Sequence, residues 1–147
     1  MKAITVCQPY PWLMLQPESD PRHKRVENRN WATNYRGDLA IHAGISQGWL
    51  STYTGLEPYE SDQLIFGAVV GIVRVVACWK IEEIERFVGG PFLWVKHHQH
   101  TQGPFCWVFD RVRALKYPQP CKGAMGLWEW QPAGPMDLVT VDREAGQ

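Results

Sequence analysis

The run Phe66-Gly-Ala-Val-Val-Gly-Ile-Val-Arg-Val-Val-Ala-Cys78 constrains this chain most. It is dense in β-branched residues and apolar at both parities of a period of two. That pattern suits a strand buried on both faces. Gly67 and Gly71 fit points where such a strand bends or lets another backbone come close. The apolar stretch Phe66–Trp79 is too short to span a membrane and is broken by Arg74, which must reach solvent or a carboxylate.

Other strands read from the same signals. Phe105–Tyr117 is a long candidate closed by Pro118 and Pro120, and Ala3–Cys7 enters a turn at Gln8-Pro9. Gly37–His42 places Leu39 and Ile41 inward and Asp38, Ala40 and His42 on the other face, while Trp128 and Trp130 alternate on a last strand. Short helices are expected at Tyr10–Leu15, with Pro11 in the first turn, and after Ser46 as N-cap. A third, Ile81–Phe87, turns Ile81, Ile84 and Phe87 inward. The acidic piece Gly55–Asp62 reads as a solvated loop, and His97–His100 as part of a Gln/Gly-rich loop. Strands at moderate spacing with short helices between them predict an α+β domain, a small mixed β-barrel with helices at its rim. At 147 residues one domain is expected, over 1–132, followed by a polar, loosely held tail over 133–147.

Fifteen Lys/Arg balance fifteen Asp/Glu, which argues against a surface that binds polyanions all over but leaves room for a local basic groove. That groove is legible at His23–Gly37, where Lys24, Arg25, Arg29 and Arg36 surround one carboxylate, Glu27. If Val26–Trp31 is extended, Glu27, Arg29 and Trp31 share a face and Arg25 joins them. Lys24 is out of phase and reaches that face only if the chain turns beside it. The plain alternative is a surface strand on which Glu27 pairs with Arg25 or Arg29 and Trp31 is core.

Around this stretch stand Gln8-Pro9-Tyr10-Pro11-Trp12 upstream and Tyr35-Arg36-Gly37-Asp38-Leu39-Ala40-Ile41-His42 downstream. The order of a Gln-Pro-aromatic entry, Lys-x-x-Glu-x-Arg-x-Trp, an Arg-Gly turn and an apolar strand resembles the ASCH domain (activating signal cointegrator homology), and the likeness continues through Gly67–Cys78. The resemblance implies a PUA-like barrel with a cleft beside Lys24–Arg29. The loop Gln16–Pro21 is longer than the link usual in that family.

Three functions follow as expectations. The first is an RNA- or nucleotide-binding domain, with Lys24, Arg25, Arg29 and Arg36 on phosphate and Trp31 or Tyr35 stacking on a base. The second is a hydrolase acting on RNA or a modified nucleoside. Family amidohydrolases carry Lys-x-x-Thr-x-Arg where this chain has Lys24, Glu27 and Arg29, so the hydroxyl is lost. Catalysis would need Glu27 as base, with Lys24 or Arg29 holding an oxyanion. Neighbouring cations make a carboxylate a weaker base, which favours a positioning role for Glu27. The third is a protein-interaction module using some of the eight tryptophans.

No cofactor or metal is expected. Gly-rich phosphate loops, Ser-His-Asp sets and Cys-x-x-Cys pairs are lacking, and His97, His98 and His100 have no partners at zinc-site spacing. Cys7, Cys78, Cys106 and Cys121 read as free thiols, with only Cys7 near a site. Met1–Val6 lacks the apolar region of a signal peptide, so a cytoplasmic location is expected.

Overall fold

A computed structural model describes residues 1–142. Its centre is a seven-stranded mixed sheet built from β1 (Lys2–Val6), β2 (Val26–Arg29), β3 (Gly37–Ala43), β4 (Ala68–Lys80), β5 (Phe105–Pro120), β6 (Trp128–Glu129) and β7 (Leu138–Thr140). The path runs β2-β5-β4-β3-β1-β6, with β7 on the side of β5. Only β1 and β3 pair in parallel; the other pairs are antiparallel.

The valine-rich run is β4, the central strand between β3 and β5. Its register against β5 shifts between Val69 and Gly71, Ile72 and Arg74, and Val75 and Ala77. Such bulges bend strands and increase their twist. Gly71 is needed for space: a Cβ there would lie 2.5 Å from the Leu15 side chain and 2.9 Å from the Arg113 carbonyl. Gly67 has φ +69° and leads into β4 as its N–H bonds the Ala43 carbonyl. Arg74 meets Asp110 on β5 through two hydrogen bonds of 2.8 Å.

The sheet is buried on both faces. One face carries Ile4, Leu39, Ile41, Val73, Val75, Trp107 and Phe109 around Met14. Leu39 and Ile41 point inward as their alternation requires. Elsewhere Val26, Ala77, Cys106 and Val108 are covered by Ile84 of α3 (Ile81–Phe87) and Val95 of α4 (Leu93–His97). Ala3, Ala40, Val69 and Ile72 are covered by Trp130 and Met136. This accounts for an apolar β4 at both parities.

Several expectations change. The sheet is not closed into a barrel: its path ends at β2 and β6. β1 and β2 are separate in that path, yet a hydrogen bond of 2.9 Å from Arg29 Nη2 to the Thr5 carbonyl spans between them. The first helix is α1 (Tyr10–Met14). Ser46 caps no helix; a single 3-10 turn, Leu50–Thr52, follows Trp49 instead. Gly55–Asp62 is not simply solvated, because it holds α2 (Pro58–Ser61) and a buried Glu60. Phe87 is 79% exposed, since a seven-residue helix turns only Ile84 fully inward. His97 ends α4 rather than lying in a loop.

The segment after Pro132 is not loose as far as Asp142. Leu138–Thr140 pairs with β5, Lys116 N–H bonds the Asp137 carbonyl, and Asp142 meets Arg25 at 2.7 Å. Residues 143–147 of the expected tail lie outside the described residues. The four cysteines are free thiols. Among the described residues no helix is long and apolar enough to cross a membrane.

Candidate functional site

Between β1 and β2 lies a cleft of about 500 Å³. β1 supplies Thr5 and Val6, with Cys7 just beyond it, and β2 supplies Glu27, Asn28 and Arg29. Tyr10, Lys24, Trp49, Tyr53 and His100 complete the main walls.

Glu27 is the hub. Its side chain projects from β2 over the apolar residues Ile4, Met14, Leu39 and Trp107. Lys24 Nζ lies 3.3 Å from one carboxylate oxygen. Arg29 approaches the other with Nη2 at 2.8 Å and Nε at 3.0 Å. Glu27 and Arg29 share a face because they are two apart on a strand. Lys24 joins them because β2 begins only at Val26; the turns through Pro17–His23 and a bond from Lys24 N–H to the Leu13 carbonyl set its direction. Lys24 is only 3% exposed, and burial lowers its pKa against the opposing pull of Glu27. Its ammonium lies 5.3 Å from the Tyr10 ring centroid. By formal charge, two cations against one carboxylate leave the cluster net positive, and Arg29 is its more exposed cation.

Opposite stands an aromatic wall. Trp49 and Tyr53 meet Tyr10 edge-on, each with centroids 6.3 Å apart. They ride on a strap, residues 44–67, whose fastenings are polar contacts. Gln8 is 2% exposed; its Nε2 donates to the Ile65 carbonyl at 2.8 Å and its Oε1 accepts from Trp12 N–H at 3.1 Å. Arg22 grips both Glu60 oxygens at 2.8 and 2.9 Å, holds Asp20, and donates to the Gly55 carbonyl. These pairings hold the Glu60 and Asp20 carboxyls below their usual range. The loop Gln16–Pro21 thus leads into the residue that fastens the strap.

Asn28 holds the third side. Its Nδ2 donates to the His100 carbonyl at 2.7 Å, and its Oδ1 accepts from the N–H groups of Gln102 and Gly103 at 3.0 and 2.8 Å. His100 Nε2 faces the Arg22 carbonyl at 3.2 Å, so the hydrogen of the neutral ring sits there. Burial drives its pKa down to about 4.

Of the residues expected at the site, Lys24, Glu27 and Arg29 come together in the cleft. Four others do not line it. Arg25 turns away: 3% exposed, it donates to the carbonyls of Met14, Lys24 and Gln16 and pairs with Asp142. Trp31 packs edge-on against Trp107 at 4.8 Å and belongs to the core. Tyr35 packs on the same core, its hydroxyl donating to the Asp38 carbonyl. Arg36 is exposed and bonds the carbonyls of its own loop, Thr33 and Tyr35. Cys7 lines the cleft as expected. His42 is structural, its ring nitrogens lying 3.2 Å from Thr5 Oγ1 and 2.8 Å from the Cys121 carbonyl.

Tyr10, Trp49, Tyr53, Asn28 and His100 went unmarked as site residues. The available signal was the excess of aromatic residues. Among the described residues no group of three or more His, Cys, Asp or Glu is arranged to hold a metal ion. Comparison with known proteins finds no matching family model and no matching curated protein.

Proposed function

We propose that the cleft between β1 and β2 binds a single-stranded RNA or nucleotide, one unit at a time, in the manner expected of an ASCH-type domain. The observation that carries this reading is the apposition of Arg29, in a cluster of net positive charge, to the wall of Tyr10, Trp49 and Tyr53. Phosphate recognition needs a fixed cation and base recognition needs a flat aromatic face. A cleft of about 500 Å³ falls in the range of small-ligand sites and leaves little room for a long tract. The neutral charge of the whole chain agrees with that small footprint. The approach of β1 to β2 across the gap also suits the PUA-like relationship, as an open form of such a barrel.

Binding is favoured over hydrolysis because both Glu27 oxygens are engaged by cations. A carboxylate whose two oxygens both face cations is already committed to orienting Arg29 and Lys24, a positioning role that also lets it accept from a base edge.

Titration with short single-stranded RNA and with mononucleotides tests the reading. Saturable binding is expected, with a salt slope of about 0.7 for each phosphate contacted. Trp49→Leu should weaken it by about 1–3 kcal/mol if a base stacks there. Arg29→Gln should weaken it and make the salt slope shallower, while Arg36→Ala changes neither. Absence of saturable binding, or full affinity in both Trp49→Leu and Arg29→Gln, would overturn the proposal.

A further inference from the structure

A second and larger cavity, about 730 Å³, shares no lining residue with the ionic cleft. Phe92, Trp94 and Phe109 give it aromatic walls, and His23, His98 and Arg25 also line it. The backbone assigns the hydrogen on each of these two rings. The main-chain N–H of Arg25 donates to His98 Nε2 at 3.0 Å, so that nitrogen is bare and the neutral ring carries its hydrogen on Nδ1. His23 Nδ1 lies 2.7 Å from the Asp20 carbonyl. A carbonyl only accepts, so the hydrogen is on Nδ1 and Nε2 of the neutral ring is an acceptor.

The remaining nitrogens, His98 Nδ1 and His23 Nε2, have no protein partner among the described residues. Their rings are 5.2 Å apart, centroid to centroid. Trp94 stands edge-on to His98 at 5.5 Å and His100 packs beside it at 5.5 Å. Burial in this stack, with His100 and His23 adding to it, drives the His98 pKa down to about 3, so the ring is neutral at physiological pH.

Asp110 and Arg25, which both line the cavity, already have partners of opposite charge. Asp110 is paired with Arg74, and the Arg25 guanidinium is taken up by three carbonyls and Asp142. Only its buried Nε lacks an acceptor. Glu18, also in the lining, adds negative charge. What is left for a ligand is the Nδ1–H donor of His98, the Nε2 acceptor of the neutral form of His23, and aromatic faces.

We propose that this cavity is a second ligand site, for an uncharged planar heteroaromatic ring that offers an acceptor to His98 and a neighbouring donor to His23, as a nucleobase or a ring carboxamide does. The site is independent of the nucleotide reading of the cleft. An anion of the same shape would be disfavoured by Glu18, and the one guanidinium among the described lining residues, Arg25, is already paired with Asp142.

Nicotinamide and adenine serve as uncharged probes, and nicotinate as the nearly isosteric anion. Titration into the full chain, followed by histidine ring ¹⁵N and tryptophan indole resonances, should give saturable shifts at His23, His98 and Trp94. Nicotinate should bind at least tenfold more weakly than nicotinamide. Trp94→Leu, at a side chain already 39% exposed, should weaken both uncharged probes at least tenfold, while Arg29→Gln leaves them unchanged. Any of four results would overturn the proposal: shifts confined to Trp49 and His100, equal binding of nicotinate and nicotinamide, unaltered affinity in Trp94→Leu, or a His98 ring with its hydrogen on Nε2.

Discussion

Replacing Glu27 by Gln keeps the size of the side chain and removes the charge between Lys24 and Arg29. In the native protein Lys24 is 3% exposed and its ion-pair partner among the described residues is Glu27, at 3.3 Å. The variant has two ways to respond. Keeping a buried charge without its partner costs about 3–5 kcal/mol. Discharging a lysine costs about 1.4 kcal/mol for each pH unit below its ordinary value of about 10.4, or roughly 5 kcal/mol at neutral pH. The smaller cost governs, so a loss of about 3–5 kcal/mol is expected at pH 7. A domain stable by about 5–15 kcal/mol remains folded after that loss, with little to spare.

The pH dependence separates this mechanism from a packing defect. Burial lowers the folded-state pKa of Lys24 below its unfolded value. Between the two values the unfolded chain holds more protons, so stability rises with pH. In Glu27→Gln the counter-charge is gone and the window widens, with a slope approaching about 1.4 kcal/mol per pH unit. By pH 9.4 the discharge route costs only about 1.4 kcal/mol. Urea unfolding between pH 6 and 10, followed by tryptophan fluorescence, measures this. Adding Lys24→Met to Glu27→Gln should restore most of the loss at pH 7, because no buried lysine then lacks its partner. A penalty equal at every pH, or one that Lys24→Met leaves in place, would refute the account.

Asp142→Asn should cost about 2 kcal/mol, the value of a hydrogen bond to a charged group, because Arg25 is buried and keeps only its carbonyl partners. Hydrogen exchange should quicken at the Val141 amide, which bonds the Val112 carbonyl; unchanged exchange there would show that Asp142 does not fasten the segment. Arg22→Ala should release the strap, exposing residues 44–67 to limited proteolysis while the sheet stays intact. Asp20 and Glu60 are held below their usual values by Arg22, so the native protein draws stability from them above about pH 4 and loses it as pH falls through the lowered values. Acid unfolding of Arg22→Ala should therefore lack that component, and an unaltered acid transition would count against it.

The strands were legible because a strand's signal lies within its own residues: β4 and β5 announce themselves by density of β-branched and aromatic side chains. Whether the sheet closes depends on edges far apart in the chain, and no local pattern reports that. The ionic cluster was legible for the same reason as the strands, since Lys24, Glu27 and Arg29 fall within six residues. Arg25 was misplaced by carrying strand alternation one residue too far. Its carbonyl does accept from Phe109 N–H, but its own N–H goes to His98, a residue 73 positions away.

The aromatic wall and the second cavity were illegible together, and for one cause. Trp49 and Tyr53 lie on a strap without strand or long-helix periodicity, placed by Arg22–Glu60 and Gln8–Ile65 contacts that join distant parts of the chain. His98 and His100 gain their roles from the Arg25 N–H and the Arg22 carbonyl, backbone groups to which sequence patterns are blind. Judged by ligand spacing the histidine cluster is a poor metal site; judged by which nitrogen the backbone occupies, His98 and His100 are neutral rings with assigned donors and acceptors. Lys24 and Arg25 stand side by side on the chain between these two environments, one directed to the cleft and the other lining the second cavity. The turn that brings Lys24 to Glu27 therefore also fixes Arg25 against His98, and a substitution that straightens it should disturb both cavities at once.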